Sequence, residues 1–276
     1  IILDPAVLNV LRFELGYDTT EIAIGDNLMV SQLVTDLMKL NRSFVVHRSA
    51  PRAEVYQYSL RLSTYIRQAI EHNRVSVWLA HRNGRAKDGL DQTHTGLLKM
   101  LNMSGEGSVL DNFRSLNIVP MAISYEYEPC DFLRAEELVH QQLDLPYQKD
   151  DKIAIIRGIR DPKGRVHLAI GAALDDQFYD QIDPRANRNA QIRQLCAAFD
   201  REIVGLYKLW PNHYIALDRL NGKRDLEAHY SAEEEAAFDQ WLDKRLAKAS
   251  GPPDYLRQVI LDMYANPVRN TMRLNG

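Results

Sequence analysis

The 276-residue chain has little cysteine, no excess of either charge and no long apolar run. Its two cysteines, Cys130 and Cys196, are far apart, which argues against a disulfide framework or a zinc site and suits a reducing compartment. The 34 Lys and Arg against 37 Asp and Glu give a net charge of −3, without the basic excess of a nucleic-acid-binding protein. The longest apolar stretches, such as 118–123 and 168–174, fall far short of the roughly 20 residues of a membrane-spanning helix. These absences predict an ordinary globular protein with a large core.

Motifs of several common enzyme classes are absent as well. The chain has neither a Gly-x-Ser-x-Gly elbow nor a Walker A loop, which argues against a serine hydrolase of that type and a P-loop enzyme. No two of its eight histidines flank a Glu at helical spacing, so no metalloprotease-like zinc site is predicted. The chain begins Ile-Ile-Leu-Asp-Pro, without an initiator Met, a basic leader or a cleavage site. We therefore expect no targeting signal in it, and we expect that upstream residues are missing.

Short apolar runs alternate with helical segments along the first half of the chain. Residues 54–72, for example, place apolar side chains at three- and four-residue steps, which is the stripe of an amphipathic helix. Such alternation predicts an α/β fold with a mainly parallel central sheet flanked by helices. The runs that we predict as strands are 21–24, 43–47, 75–81 and 118–125.

The pattern changes in the second half. Residues 152–159 and 165–171 look like strands, and the Pro and Gly of the intervening segment 161–164 favour a turn, so we predict a hairpin. Farther on, helical spacing dominates. We therefore predict an α/β domain at 1–174 and a mostly helical C-terminal extension at 175–276. The helical segments of this extension are 190–209, 231–247 and 253–264.

Arginine outnumbers lysine by 24 to 10, and several cations cluster at two places that follow predicted strands. Open α/β sheets bind their ligands at the carboxyl ends of strands. In the second cluster, glycines accompany the cations. This composition suits an anion-binding site, because guanidinium groups hydrogen-bond the anion and glycine lets the backbone approach it closely. We therefore predict a phosphate site, with solvated basic turns as the alternative. The first cluster comprises Arg42, His47, Arg48 and Arg52, and the second comprises His81, Arg82, Arg85 and Lys87.

Three short segments, in order, resemble sequence blocks of the glycerolipid acyltransferases. Residues 44–49, Phe-Val-Val-His-Arg-Ser, resemble the second block of that family. Residues 82–89 match the third block imperfectly, and residues 118–124, Ile-Val-Pro-Met-Ala-Ile-Ser, match the fourth. Over residues 1–128 the chain therefore resembles glycerol-3-phosphate and 1-acylglycerol-3-phosphate acyltransferases, most of all the bacterial glycerol-3-phosphate type.

The resemblance implies a reaction. A fatty acyl group moves from acyl-CoA or acyl-carrier protein to a hydroxyl of glycerol 3-phosphate or lysophosphatidate in phospholipid synthesis, without a cofactor, a metal or a nucleic-acid partner. The first family block is His-x4-Asp, in which the His is the base that takes the hydroxyl proton and the Asp orients it. Asp4 matches the Asp, so the resemblance implies a base about two residues before Ile1. Alternatively, Asp4 is the N-cap of a helix that starts at Pro5.

The other site residues follow from the resemblance by position. Arg48 and Arg85 are implied to bind the acceptor phosphate, and Gly84 to let the backbone approach it. Asn83 stands where the family usually has Glu, so it supplies a hydrogen-bonding side chain without charge. Pro120 is implied to shape the acyl-donor pocket, with a strand-edge proline as the alternative.

Two alternatives remain open at this point. If no upstream histidine exists, His47 or His81 beside the basic clusters is the alternative base. Asn83 and a missing base are also compatible with a non-catalytic lipid- or phosphate-binding relative of the family. In either case we expect a cytoplasmic protein in peripheral contact with the inner face of the membrane, through an amphipathic helix or a basic rim.

Overall fold

A computed structural model describes residues 3–26, 32–47, 51–82, 88–148 and 150–275. Within these residues the protein has an α/β fold with a helical C-terminal region, which confirms the predicted class. In chain order the strands are β1 (Glu21–Gly25), β2 (Ser43–Val46), β3 (Val77–Trp78), β4 (Met121–Tyr125) and β5 (Val166–Ile170).

Helices account for most of the described chain. They are α1 (Asp4–Glu14), α2 (Gln32–Leu40), α3 (Arg52–Glu71), α4 (Thr95–Leu101), α5 (Val109–Arg114), α6 (Asp131–Gln142), α7 (Asp151–Arg160), α8 (Asp176–Asp180), α9 (Arg188–Leu206), α10 (Pro211–Asn221), α11 (Ala232–Leu246) and α12 (Pro253–Asn275).

The parallel sheet is small. β1 lies between β2 and β3, and both pairings are parallel. β4 does not join this sheet: it pairs antiparallel with β5 in a separate two-stranded sheet, from Met121 opposite Ile170 to Tyr125 opposite Val166. The prediction of a mainly parallel central sheet therefore holds only for these three strands, of which β3 is just two residues long.

The predicted hairpin is wrong. Residues 152–159 form helix α7, and β5 pairs with β4 instead. Asp150 caps α7, because its Oδ1 accepts hydrogen bonds from the backbone N–H groups of Lys152 at 2.9 Å and Ile153 at 3.1 Å. Such a cap satisfies donors that the first helical turn leaves unpaired, and it favours the helix over the strand.

Two buried hydrophobic clusters hold the molecule together, and each takes residues from both sides of residue 174. Phe113 and Leu195 belong to the first, which packs α3, α4 and α5 against α8 and α9. Val139 and Ile260 belong to the second, which packs α6 against α10, α11 and α12. The predicted helical extension thus shares its cores with the α/β part, and the boundary at residue 174 stays a prediction.

Candidate functional site

A cleft of about 710 Å³ lies at the carboxyl ends of β1 and β3. Gly25 and residues 78–82 line it where these strands end, and Asp4 lines it at the start of α1. The apolar part of its lining comes from β4, α7 and α9, and includes Met121, Ile123, Ile155 and Val204. One cleft therefore combines carboxylates, among them Asp4, the first two residues of the second basic cluster and an apolar surface.

Among the site residues that the sequence predicts, Asp4 lines the cleft. Helix α1 begins at Asp4 itself, and no side chain caps its first turn. Instead, Asp4 Oδ1 accepts a hydrogen bond of 2.8 Å from the hydroxyl of Tyr125 at the end of β4. This bond joins α1 to β4 and orients the carboxylate. Tyr125 was not predicted, because only the folded chain brings it to Asp4.

His81 and Arg82 meet at a third residue that the sequence did not single out, Asp91. His81 Nε2 lies 3.2 Å and Arg82 Nη1 lies 3.7 Å from Asp91 Oδ1. Arg82 Nη1 also donates a hydrogen bond of 2.7 Å to the Leu90 carbonyl oxygen. Burial works against ionisation of Asp91, but the hydrogen bond from His81 and the nearby charges of His81 and Arg82 prevail and lower its pKa. Asp91 therefore holds two basic side chains together at the cleft.

The segment that carries Asp91 is anchored on helix α12. Gly89 packs against the carbonyl oxygen of Met263, and Asn266 Nδ2 donates a hydrogen bond of 2.5 Å to the Asp88 carbonyl oxygen. Pro267 has no N–H, so the Met263 carbonyl lacks the helical donor that it would otherwise have. Helix α12 continues past its predicted end at residue 264. Because the Met263 carbonyl oxygen accepts no helical hydrogen bond from Pro267, Gly89, which has no side chain, can pack directly against it.

Replacing Gly89 by alanine is expected to destabilise the protein and to displace Asp91. The new Cβ would overlap the Met263 carbonyl oxygen, and Gly89 has a φ of +74°, which L side chains rarely adopt. Gly16→Ala is the matched control, because Gly16 has a φ of +80° and nothing lies within 4 Å of an added Cβ. In urea unfolding, we expect Gly89→Ala to lose about 1–3 kcal/mol more than Gly16→Ala. Equal losses would contradict the close packing of Gly89 on α12.

Farther along the cleft, the polar groups are buried. His213 is 2% exposed, and its Nδ1 accepts a hydrogen bond of 3.1 Å from the Trp210 backbone N–H. Burial lowers the pKa of His213 to about 3, so the ring is neutral at pH 7. Tyr207 and Tyr264 stack near it, and burial raises the pKa of both phenols. This end of the cleft therefore contains a neutral imidazole and two un-ionised phenols at pH 7.

The other predicted site residues do not all fall within the described structure. Arg48, Asn83, Gly84 and Arg85 lie outside the described residues, so their implied roles stay predictions. Pro120 is buried immediately before β4, where its carbonyl oxygen accepts a hydrogen bond of 2.9 Å from the Gly171 N–H. It is not among the described residues that line the cleft, whereas its neighbours at 121–123 are.

The first basic cluster is divided between the two ends of β2. His47 follows the strand, and its Nδ1 lies 3.7 Å from Asp26 Oδ2, just after β1. Arg42 precedes the strand, and its Nη1 donates a hydrogen bond of 3.0 Å to the Thr19 carbonyl oxygen. Of these two, only His47 is at the carboxyl end of the sheet, so the cluster is smaller than the sequence indicated.

The described residues contain no group of three or more His, Cys, Asp or Glu side chains arranged to hold a metal ion. Both cysteines are buried, and they do not form a disulfide bond. Across the same residues, none of the helices combines the length and the apolar character that crossing a membrane requires. In comparisons with known proteins, no protein-family model and no curated protein matches this chain.

Proposed function

We propose that the protein transfers a fatty acyl group from acyl-CoA or an acyl-carrier-protein thioester to a hydroxyl of glycerol 3-phosphate or lysophosphatidate. The proposal starts from the sequence resemblance at residues 44–49, 82–89 and 118–124. The observation that carries it is the composition of the cleft: Asp4, His81 and Arg82 line the same cavity as an apolar surface from three elements. A phosphorylated acceptor needs cations and an acyl chain needs apolar lining, so both reactants have a complementary surface there.

The proposed reaction is direct attack of the acceptor hydroxyl on the thioester. The hydroxyl oxygen forms the new ester bond to the carbonyl carbon, and the carbon–sulfur bond breaks. The hydroxyl proton passes to the histidine base that the resemblance implies beside Asp4, and from there to the leaving thiolate. Asp4 orients that base, and the hydrogen bond from Tyr125 restrains the Asp4 carboxylate. Thiol and ester are the only products.

Residues of both basic clusters provide the proposed binding site for the acceptor phosphate. Arg48 and Arg85 keep the role that the resemblance implies, and His81 and Arg82 extend it. Asp91 holds these last two side chains side by side, and Arg82 is fixed further by the Leu90 carbonyl. A guanidinium in a fixed position suits a phosphate, because its planar fork matches two phosphate oxygens.

The proposal is tested with the full-length gene product and an acyl-CoA, by following the release of free thiol. Release that requires glycerol 3-phosphate or lysophosphatidate is expected, together with loss of activity in Arg85→Ala. No release with either acceptor would refute acyl transfer to these substrates. Binding of glycerol 3-phosphate without turnover would instead support the alternative, a non-catalytic lipid- or phosphate-binding relative.

Replacing Arg82 by glutamine is expected to raise KM for glycerol 3-phosphate by about 10- to 100-fold, because one charge-assisted hydrogen bond to the phosphate is lost. His167→Gln, an exposed substitution on β5, is the control and should leave KM unchanged. Saturation kinetics with the soluble acceptor give both parameters. The same measurement on His81→Gln distinguishes the two roles of His81. A raised KM supports phosphate binding, whereas a fall in kcat by about 100-fold or more at constant KM identifies His81 as the base.

Contact with the membrane belongs to the same proposal, because the lipid product partitions into a bilayer. We propose a cytoplasmic location with peripheral contact at the inner face of the membrane. Fractionation of cells that express the full-length protein tests this placement, since a peripheral protein leaves the membrane fraction in high salt.

A further inference from the structure

Helix α7 presents an unusual exposed face. Ile153, Ile156 and Ile159 are 45%, 52% and 49% exposed, and the cations Lys152 and Arg160 are exposed as well. At 3.6 residues per turn, these five positions fall within an arc of about 120° on one side of the helix. The exposed face therefore consists of three isoleucines and two cations.

The opposite face of α7 packs into the protein. Gly158 is buried, and the carbonyl oxygen of Ala154 accepts a hydrogen bond of 3.3 Å from the buried thiol of Cys130. Arg157 extends over the ring of Phe132, with its guanidinium carbon 5.1 Å from the ring centre. Because the helix is held by these contacts, its exposed isoleucines are a fixed feature of the folded surface.

The charge around α7 differs from that of the chain as a whole. Residues 149–165 carry six Lys and Arg against three Asp, a net charge of +3 in a chain whose total is −3. An exposed apolar face with interspersed cations is complementary to a bilayer that contains anionic lipids, since apolar side chains enter the interface and cations meet the phosphates.

The exposed face also reaches the cleft. Ile153, which is at its N-terminal end, lines the cleft together with Ala154 and Ile155, and Ile156 and Ile159 continue the face one and two turns away. A bilayer in contact with this face would therefore lie at one border of the cavity that contains Asp4 and Arg82.

We infer that the exposed face of α7 is the surface by which the protein docks on anionic membranes, and that it delivers lipid to the cleft. The inference rests on the proposed function in one respect, because a membrane-borne acceptor is what makes a route from the bilayer to the cleft useful. Docking itself requires no turnover, so it is measured separately.

A second apolar surface on α1 lacks the complementary charge. Val10 and Phe13 are 58% and 75% exposed, but residues 4–18 carry one Arg against three Asp and Glu. Anionic lipids repel such a surface. The α1 surface therefore provides a matched control, with exposed apolar side chains on a helix but the opposite net charge.

The test is cosedimentation of the full-length protein with vesicles of phosphatidylcholine, with and without phosphatidylglycerol. Binding is expected to require phosphatidylglycerol and to weaken at high salt. Ile156→Asn with Ile159→Asn should reduce the partition coefficient at least about 10-fold, because two apolar side chains no longer enter the interface. Lys152→Gln with Arg160→Gln should reduce it by about 20-fold or more. Val10→Asn with Phe13→Asn should leave it unchanged.

Several outcomes would overturn the inference. Binding that persists in both α7 double variants, or that is lost in the α1 variant, places the docking surface elsewhere. If the wild-type protein ignores the vesicles but its molar mass falls in the isoleucine variant, α7 is instead a contact between two copies of the chain. Thiol release with soluble glycerol 3-phosphate and no vesicles should be normal in all these variants, so failure of docking and failure of the proposed reaction are distinguishable.

Discussion

Replacing Arg245 by methionine is expected to lower the free energy of unfolding by about 3–5 kcal/mol, because it leaves a buried carboxylate without its counter-ion. Arg245 and Asp131 have side chains that are 4% and 0% exposed, and Arg245 Nε lies 2.7 Å from Asp131 Oδ1. Arg245 Nη2 also donates a hydrogen bond of 2.7 Å to the Pro129 carbonyl oxygen. The loss should appear as a shift of the urea midpoint with an unchanged m-value.

The buried network around Asp131 explains why the effect is large. Trp241 Nε1 and the Tyr264 hydroxyl donate hydrogen bonds of 2.9 Å and 2.8 Å to Asp131 Oδ2. The Arg245 guanidinium carbon lies 4.2 Å from the ring centre of Trp241. One carboxylate thus joins α6, α11 and α12 directly behind Glu128, which lines the cleft.

Two comparisons separate the buried ion pair from a general effect of removing charge. Arg257 and Asp243 form an exposed pair at 3.1 Å, and Arg257→Met should cost less than about 1 kcal/mol. The double variant Asp131→Leu, Arg245→Met removes both charges and should be less destabilised than Arg245→Met alone. If Arg245→Met costs no more than Arg257→Met, the buried pair contributes no more to stability than an exposed one.

Much of the fold could be predicted because the apolar spacing and the caps that specify its helices lie within single segments of the sequence. The apolar stripe at 54–72 predicts α3, observed at Arg52–Glu71. The helix predicted at 231–247 is observed as α11, Ala232–Leu246, with a capping box formed by Ser231 and Glu234. In α7 the local signal is ambiguous. Ile153 and Ile155 alternate as in a strand, while Ile153, Ile156 and Ile159 repeat as in a helix, and the Asp150 cap favours the helix.

The candidate site could be predicted only in part, because tertiary contacts between distant segments bring most of its residues together. Asp4 was identified through a sequence block, and His81 and Arg82 through their position after a strand. No local pattern marks Asp91, which reaches these cations because Gly89 and Pro267 let its segment pack on α12. Tyr125 likewise has no sequence signal, because its partner lies at the other end of the α/β region.

The second large effect is a fall in the free energy of unfolding at acidic pH, and its cause is the buried His213 of the cleft. His213 is neutral in the folded protein at any pH well above 3, whereas in the unfolded chain its pKa returns to the ordinary value of 6.5. Between these two values the unfolded state binds one more proton than the folded state. Acid therefore favours unfolding in this range, and the stabilisation is present in full only above pH 6.5.

This difference is expected to lower the free energy of unfolding by about 1.4 kcal/mol for each pH unit below about 6.5, or about 3 kcal/mol by pH 4. The Tyr207 and Tyr264 rings that stack on His213 supply no charge, since burial raises the pKa of both. Urea unfolding across this range should show a shallower pH dependence in His213→Asn, whose side-chain oxygen can still accept from the Trp210 N–H. His167→Asn, on the exposed side of β5, is the control and should keep the wild-type slope. An unchanged slope in His213→Asn would mean that the imidazole reaches solvent. Water would then enter the end of the cleft that is lined by Tyr207 and Tyr264.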